Sequence, residues 1–87
     1  NNVGVFIDKP FLQMDEATFD TTFMLNVKVG YFLTQMFAQQ WIANSIHGRV
    51  LFTGSINGLL SEPMHTAYDA SKAAVSGLVR SLCVSLA

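Results

Sequence analysis

Two helix-period segments on either side of one short β-branched run leave this chain few ways to fold. Between Glu16 and Asn44 the apolar residues Phe19, Phe23, Leu25, Val29, Phe32, Leu33, Met36, Phe37 and Ile42 recur mostly at steps of three and four, while Gln39 and Gln40 mark a wetter face. Asp15 offers an N-cap and Glu16 a first-turn acid, so the helix is predicted to begin there. Asn26 and Gly30 interrupt good helix formers, which predicts a bend or break near Asn26, and His47-Gly48 is read as the stop. Arg49-Val50-Leu51-Phe52-Thr53 then suits a buried strand of a parallel sheet, ended by Gly54-Ser55. Gly58, Ser61 and Pro63 give the following stretch a loop composition. A second helix is predicted from about Ala67 to Ala87, with Ala70, Ala74, Val75, Leu78 and Leu82 on its apolar face and Ala73, Ser76 and Gly77 allowing close packing. The order loop, helix, strand, helix is an excerpt of an α/β fold with alternating elements and parallel strands.

Composition narrows the function classes. At 87 residues the chain has room for one small domain or a piece of a larger one, and a second domain is excluded. With 51% hydrophobic and 13% charged residues, it is not intrinsically disordered and carries more apolar surface than so short a chain can hide alone, so burial is expected to need a partner. Lys9, Lys28, Arg49, Lys72 and Arg80 are scattered without interleaved aromatics, which leaves no nucleic-acid footprint. A single cysteine, Cys83, rules out an intrachain disulfide or a Cys-based zinc site. His47 and His65 have no acidic or histidine neighbour at ligand spacing and are read as surface or capping residues, so no metal is expected. Without a long apolar run or a signal-peptide pattern, the protein is expected to be soluble and cytoplasmic. Trp41, the phenylalanines and the methionines lie at helical spacing and are read as core or interface.

Tyr68 and Lys72 are four apart on the second helix, so they project from one face about one turn apart. An ammonium beside a phenol favours phenolate, drawing a group that ordinarily titrates near pH ~10 toward use as a proton donor or acceptor, as carbonyl reduction requires. Ser55 follows the predicted strand, where open α/β sheets gather their ligands, and its hydroxyl can hold a substrate oxygen beside the phenol. Taken singly, such a tyrosine and lysine more often mean a solvated side chain leaning on a ring, and such a serine a turn residue.

Together these residues resemble the short-chain dehydrogenase/reductase family, whose members share a serine, then a loop, then Tyr-x-x-x-Lys on a helix. Here the stretch reads Gly54-Ser55-Ile56-Asn57-Gly58 followed by Tyr68-Asp69-Ala70-Ser71-Lys72-Ala73-Ala74. Asn1-Asn2-Val3-Gly4 looks like the family's Asn-Asn-Ala-Gly segment after its fourth strand, with Val3 in place of the usual alanine, and Asn26-Val27-Lys28 matches its helix asparagine. The resemblance covers the whole chain. It implies a partial NAD(P)-binding, Rossmann-like domain over residues 1–87: a doubly wound, parallel-sheet excerpt running from the end of the fourth strand through the helix bearing Tyr-x-x-x-Lys.

It also implies roles. Tyr68 would be the general acid/base on the carbonyl oxygen, Lys72 would assist it and bond the nicotinamide ribose, Ser55 would position the substrate oxygen, and Asn26 would anchor a water of the proton relay. Asn1 and Val3 would border the cofactor, NAD or NADP, near its riboses. The substrate would be a small alcohol or carbonyl compound, and the two long helices would pair in a homo-oligomer. The family's glycine-rich loop, which meets the pyrophosphate, is not in the sequence, so the 87 residues alone are expected to be nearly inactive. The rival reading is a non-catalytic oligomerisation or interaction module derived from such an enzyme. A hydrolase using Ser55 is weaker, because Gly-x-Ser-x-Gly is absent and no triad partner follows in a recognisable order.

Overall fold

The computed structural model describes residues 4–55 and 63–87. A short 3-10 turn over Phe11–Gln13 leads into the first helix, α1 (Glu16–Phe23), which starts where the cap chemistry predicts. The Asp15 side chain accepts the Thr18 N–H at 2.9 Å and the Thr18 hydroxyl at 2.8 Å, and it forms an ion pair with Lys9. Lys9 first, and the Thr18 N–H second, hold the Asp15 carboxyl well below the usual carboxylate range. A lowered folded-state value means that this contribution to stability is complete above the ordinary pKa of about 3.8 and drains away as the pH falls below it. Asp15→Ala should therefore lower Tm at pH 7, and the gap from the parent should close as the solution is acidified toward pH ~2. A gap that persists unchanged into acid would show that the carboxylate is not what holds the cap.

The expected interruption near Asn26 takes the form of a five-residue π-helical stretch, Met24–Lys28, which joins α1 to α2 (Val29–Ala43). The buried positions across this joint are Thr22, Asn26, Thr34 and Ala38, with half-buried Gly30 completing a row at steps of four. In a pure α-helix of 3.6 residues per turn such a row drifts around the axis. A π turn holds more residues, and so brings the row back toward one side. The inward face is thus small and polar. The large apolar residues of α2 point outward, with Met36 61% and Ile42 71% exposed.

Helix α2 ends four residues before His47, not at His47-Gly48 as the sequence suggests. Asn44 is the C-cap, and Ser45 takes the left-handed conformation (φ 53°) usually given to glycine. Ile46 N–H then reaches back to Trp41 O at 2.8 Å and Ser45 N–H to Ile42 O at 3.3 Å, the two bonds of a Schellman stop. Gly48 instead lies flat against the chain's single tryptophan: a Cβ there would fall 2.3 Å from Trp41 Cε3. Gly48→Ala must displace the indole, at a cost of about 1 kcal/mol. A shifted Trp41 fluorescence maximum is the expected sign, and an unchanged spectrum would mean that the loop gives way instead.

Residues 49–53 do not form the predicted strand, and no strand occurs among the described residues. β-branched content describes only one side of a ladder; the other is a neighbouring chain segment that completes the main-chain bonds. The final helix, α3 (Thr66–Ser85), agrees with the expected span. Its buried face is Ala67, Ser71, Lys72 and Val75, and Ala70, expected inside, is exposed. The helix is rotated because the Ser71 side is the one that meets Asn26.

Among the described residues only Ala38, Ala67 and Val75 are buried hydrophobics. The accessible surface of 6228 Å² exceeds the roughly 5000 Å² of a compact monomer of this mass. The radius of gyration, 14.5 Å, exceeds the about 12 Å of a compact chain of this length. Both go with the large apolar side chains left uncovered in this chain. No helix among the described residues is long and apolar enough to cross a membrane.

Candidate active site

The site forms where the π turn, the N-terminal half of α3 and the loop from Gly4 to Lys9 meet. Asn26, 6% exposed, binds the loop by both main-chain groups of one residue: its Oδ1 accepts the Val5 N–H at 2.7 Å and its Nδ2 donates to Val5 O at 3.0 Å. The same Nδ2 donates to Ser71 Oγ at 3.0 Å, and the Ser71 hydroxyl in turn donates to Tyr68 O at 2.7 Å. One amide side chain thereby ties the loop to the helix that carries Tyr68. Gly4 is needed for this approach, because a Cβ there would sit 2.8 Å from Asn26 Oδ1 and 3.7 Å from Lys72 Nζ.

Lys72 is buried, with Nζ 5.7 Å from the centroid of the Tyr68 ring and 3.5 Å from Thr53 O. A buried ammonium has three donors to satisfy. Among the described residues Lys72 has one long main-chain acceptor and an aromatic face, which leaves capacity for a hydroxyl-bearing ligand. Phe6 stands nearly perpendicular to the Tyr68 ring at 4.6 Å and also meets His65 at 4.7 Å. His65 Nε2 lies 2.9 Å from Asp8 Oδ1.

The structure therefore brings Asn26, Tyr68 and Lys72 together directly. Ser55 is half-buried and lies two residues after Thr53, whose carbonyl faces Lys72, so chain reach keeps its Cα within about 7 Å of that of Thr53. Asn1 and Val3, and the loop after Ser55 over residues 56–62, lie outside the described residues. Sequence reasoning missed Ser71, Gly4, Phe6 and the Asp8–His65 pair. Ser71 and Gly4 stood inside quoted motifs, whereas the acidic partner of His65 lies 57 positions away in sequence and gave no local signal. A groove of about 670 Å³ lined by Asp20, Met24, Lys28, Tyr31 and neighbours contains none of these residues.

The family model described as short chain dehydrogenase matches residues 1–87. The chain belongs to this family. A curated relative, L-rhamnose 1-dehydrogenase (NADP(+)) of Thermoplasma acidophilum, is 30% identical over 86 residues, which cover 99% of this chain and 34% of that protein. Carbonyl reductase [NADPH] 2 of Sus scrofa is 27% identical over 99% of this chain and 35% of its own length. Among solved structures, a 4-hydroxyisoleucine dehydrogenase complexed with NADH superposes with a TM-score of 0.94 at 27% identity, covering 97% of this chain and 37% of that one. The chain thus shares the short-chain dehydrogenase fold while spanning about a third of the length of the relatives it matches.

Proposed function

We propose that these residues form the proton-transfer part of an NAD(P)-dependent oxidoreductase acting on a small alcohol or carbonyl compound, with Tyr68 as the general acid/base. The observation that carries this reading is the buried Lys72 ammonium 5.7 Å from the Tyr68 ring, on a helix pinned to the preceding loop by Asn26 and Ser71. In the reduction direction the Tyr68 hydroxyl gives its proton to the carbonyl oxygen as that oxygen gains negative charge; in oxidation it takes the proton back. Ser55 donates a hydrogen bond to the same oxygen and fixes its distance from Tyr68. Lys72 places positive charge beside the ring that trades the proton.

The unfilled donor capacity of Lys72 fits the ribose hydroxyls of a nicotinamide nucleotide, the group to which the family resemblance also assigns Asn1 and Val3. The nicotinamide, when bound, supplies or accepts the hydride. Both amide groups of Asn26 engage Val5 and Ser71, so its first part is to hold the site together, with the relay water as a further role. Residues 49–53 become a strand of a doubly wound parallel sheet once neighbouring strands flank them. The outward apolar face of α2 supports pairing of the two long helices in a homo-oligomer, and the lone cysteine supports a cytoplasmic setting. The relatives named above are oxidoreductases, which does not favour the rival reading as an interaction module.

The test is NAD(P)H-linked carbonyl reduction by a protein that joins these 87 residues to a dinucleotide-binding segment. Turnover that depends on Tyr68 supports the proposal. Turnover indifferent to Tyr68, Lys72 and Ser55 alike would remove it.

A further inference from the structure

We propose that Asp8 and His65 act as positioning residues that set the orientation of the Tyr68 ring through Phe6. The loop from Gly4 to Lys9 is held at both ends: Val5 by Asn26, and Lys9 by its N–H donating to Met64 O at 3.0 Å, one residue before the His65 N-cap of α3. Between these anchors the Phe6 ring sits against both the ring of the His65 N-cap, at 4.7 Å and 77°, and that of Tyr68, at 4.6 Å and 81°. His65 and Tyr68 are three apart and therefore on one face of the helix. Such perpendicular ring contacts favour a particular angle between the rings.

Phe6 itself is 54% exposed, so no core holds it in place. What holds it is the loop, and the loop is closed over the ring of His65 by the bond from Nε2–H to Asp8 Oδ1 at 2.9 Å. The His65 side chain is only 12% exposed, against 47% for Asp8, so the imidazole is the fixed post and the carboxylate the latch. The His65 carbonyl also accepts the Asp69 N–H at 2.7 Å, which makes the post part of the helix. Lys72 borders the Tyr68 ring at 5.7 Å and His65 itself meets it at 6.3 Å and 71°, so among the described residues Phe6, His65 and Lys72 together define its setting. Met64 keeps a left-handed φ of 67° at this junction, so the surroundings impose a conformation that a methionine rarely adopts.

The significance of that setting rests on the reading of Tyr68 as the proton donor, but the geometry is testable without turnover. The probe is ¹⁹F NMR of the 87-residue chain labelled with 3-fluorotyrosine; its two tyrosines are Tyr31 and Tyr68, and Tyr31→Phe assigns the signals. Phe6→Leu removes the ring current and defines the shift of an uncovered Tyr68. Asp8→Ala is expected to move the Tyr68 signal at least halfway to that value, with the Tyr31 signal and the helix content by circular dichroism unchanged. His65→Leu, which also removes the direct ring contact with Tyr68, should move it at least as far, and His65→Gln, which loses the same ring but still offers Asp8 a donor, should differ from it by restoring part of the shift. A Tyr68 signal unmoved by Asp8→Ala overturns the proposal, as does His65→Gln behaving like His65→Leu. In the dinucleotide-joined protein Asp8→Ala should lower kcat about ten- to a hundredfold with KM little changed. A ring that moves in NMR while Tyr68→Phe leaves turnover intact would instead sink the proton-donor reading.

Discussion

Tyr68→Phe, in a protein that joins these residues to a dinucleotide-binding segment, is expected to lower kcat for carbonyl reduction by about 10²–10⁴-fold, the usual worth of a positioned general acid. The phenyl ring still offers Phe6 a perpendicular partner and Lys72 a π-system, so the 4.6 Å and 5.7 Å contacts survive and only the hydroxyl is lost. Circular dichroism and Tm should therefore match the parent, which separates a chemical effect from a folding one. Steady-state kinetics with NADH and NADPH make the measurement. A kcat within a few-fold of the parent would move the proton donor away from Tyr68, and Ser55 would be the next group to replace.

Asn26→Ala should show the largest effect on stability. It removes three hydrogen bonds, to Val5 N, Val5 O and Ser71 Oγ, from a side chain that is 6% exposed. Buried groups left without partners cost about 1–3 kcal/mol each, and allowing for the water that can reach Val5 the total is about 3 kcal/mol. For a chain of this size that corresponds to a fall in Tm of roughly 12–24 °C. Asn26→Asp keeps the shape and the acceptor for Val5 N–H but sets a carboxylate oxygen against Val5 O, so it should restore only part of the loss. Thermal unfolding of Asn26→Ala, Ser71→Ala and the double variant gives the coupling between the two side chains. A Tm within about 4 °C of the parent for Asn26→Ala would mean that Val5 and Ser71 find other partners.

Much of this arrangement was readable from residues alone, and the parts that were not have a common cause. The Asp15 cap, the interruption at Asn26 and the extent of α3 depend on neighbours within a few positions, and each is found. The Tyr68–Lys72 pairing follows from helical spacing. Local pattern failed where the deciding contact is distant. Residues 49–53 have strand propensity but need a flanking ladder. The apolar periodicity of α3 puts Ala70, Ala74, Val75, Leu78 and Leu82 inward; Val75 is buried, but Ala70 is exposed, because the Asn26–Ser71 bond, 45 residues apart in sequence, fixes which side turns inward. The apolar periodicity of residues 16–44 reads Phe32, Met36 and Phe37 as core or interface, and they are not core: the side facing the rest of the chain is the row of small and polar residues. His65 was read as a capping or surface residue, and it does take the N-cap position of α3, but its acidic partner arrives from the loop at Asp8. Helix stop signals misled once, because Ser45 supplied the left-handed turn that Gly48 advertised.

The 45-residue separation between Asn26 and Ser71 also has a consequence for synthesis. At translation rates of about 5–20 residues per second, Asn26 leaves the ribosome roughly 2–9 s before the serine that completes its hydrogen bonds. Throughout that interval the Ser71 side of α3 is not yet there to meet Asn26, and the outward phenylalanines and methionine of α2 are already bare. The nascent chain therefore passes through a stage at which holdase chaperones have a long apolar helix to grip, and a ribosome paused between residues 43 and 71 would lengthen that stage.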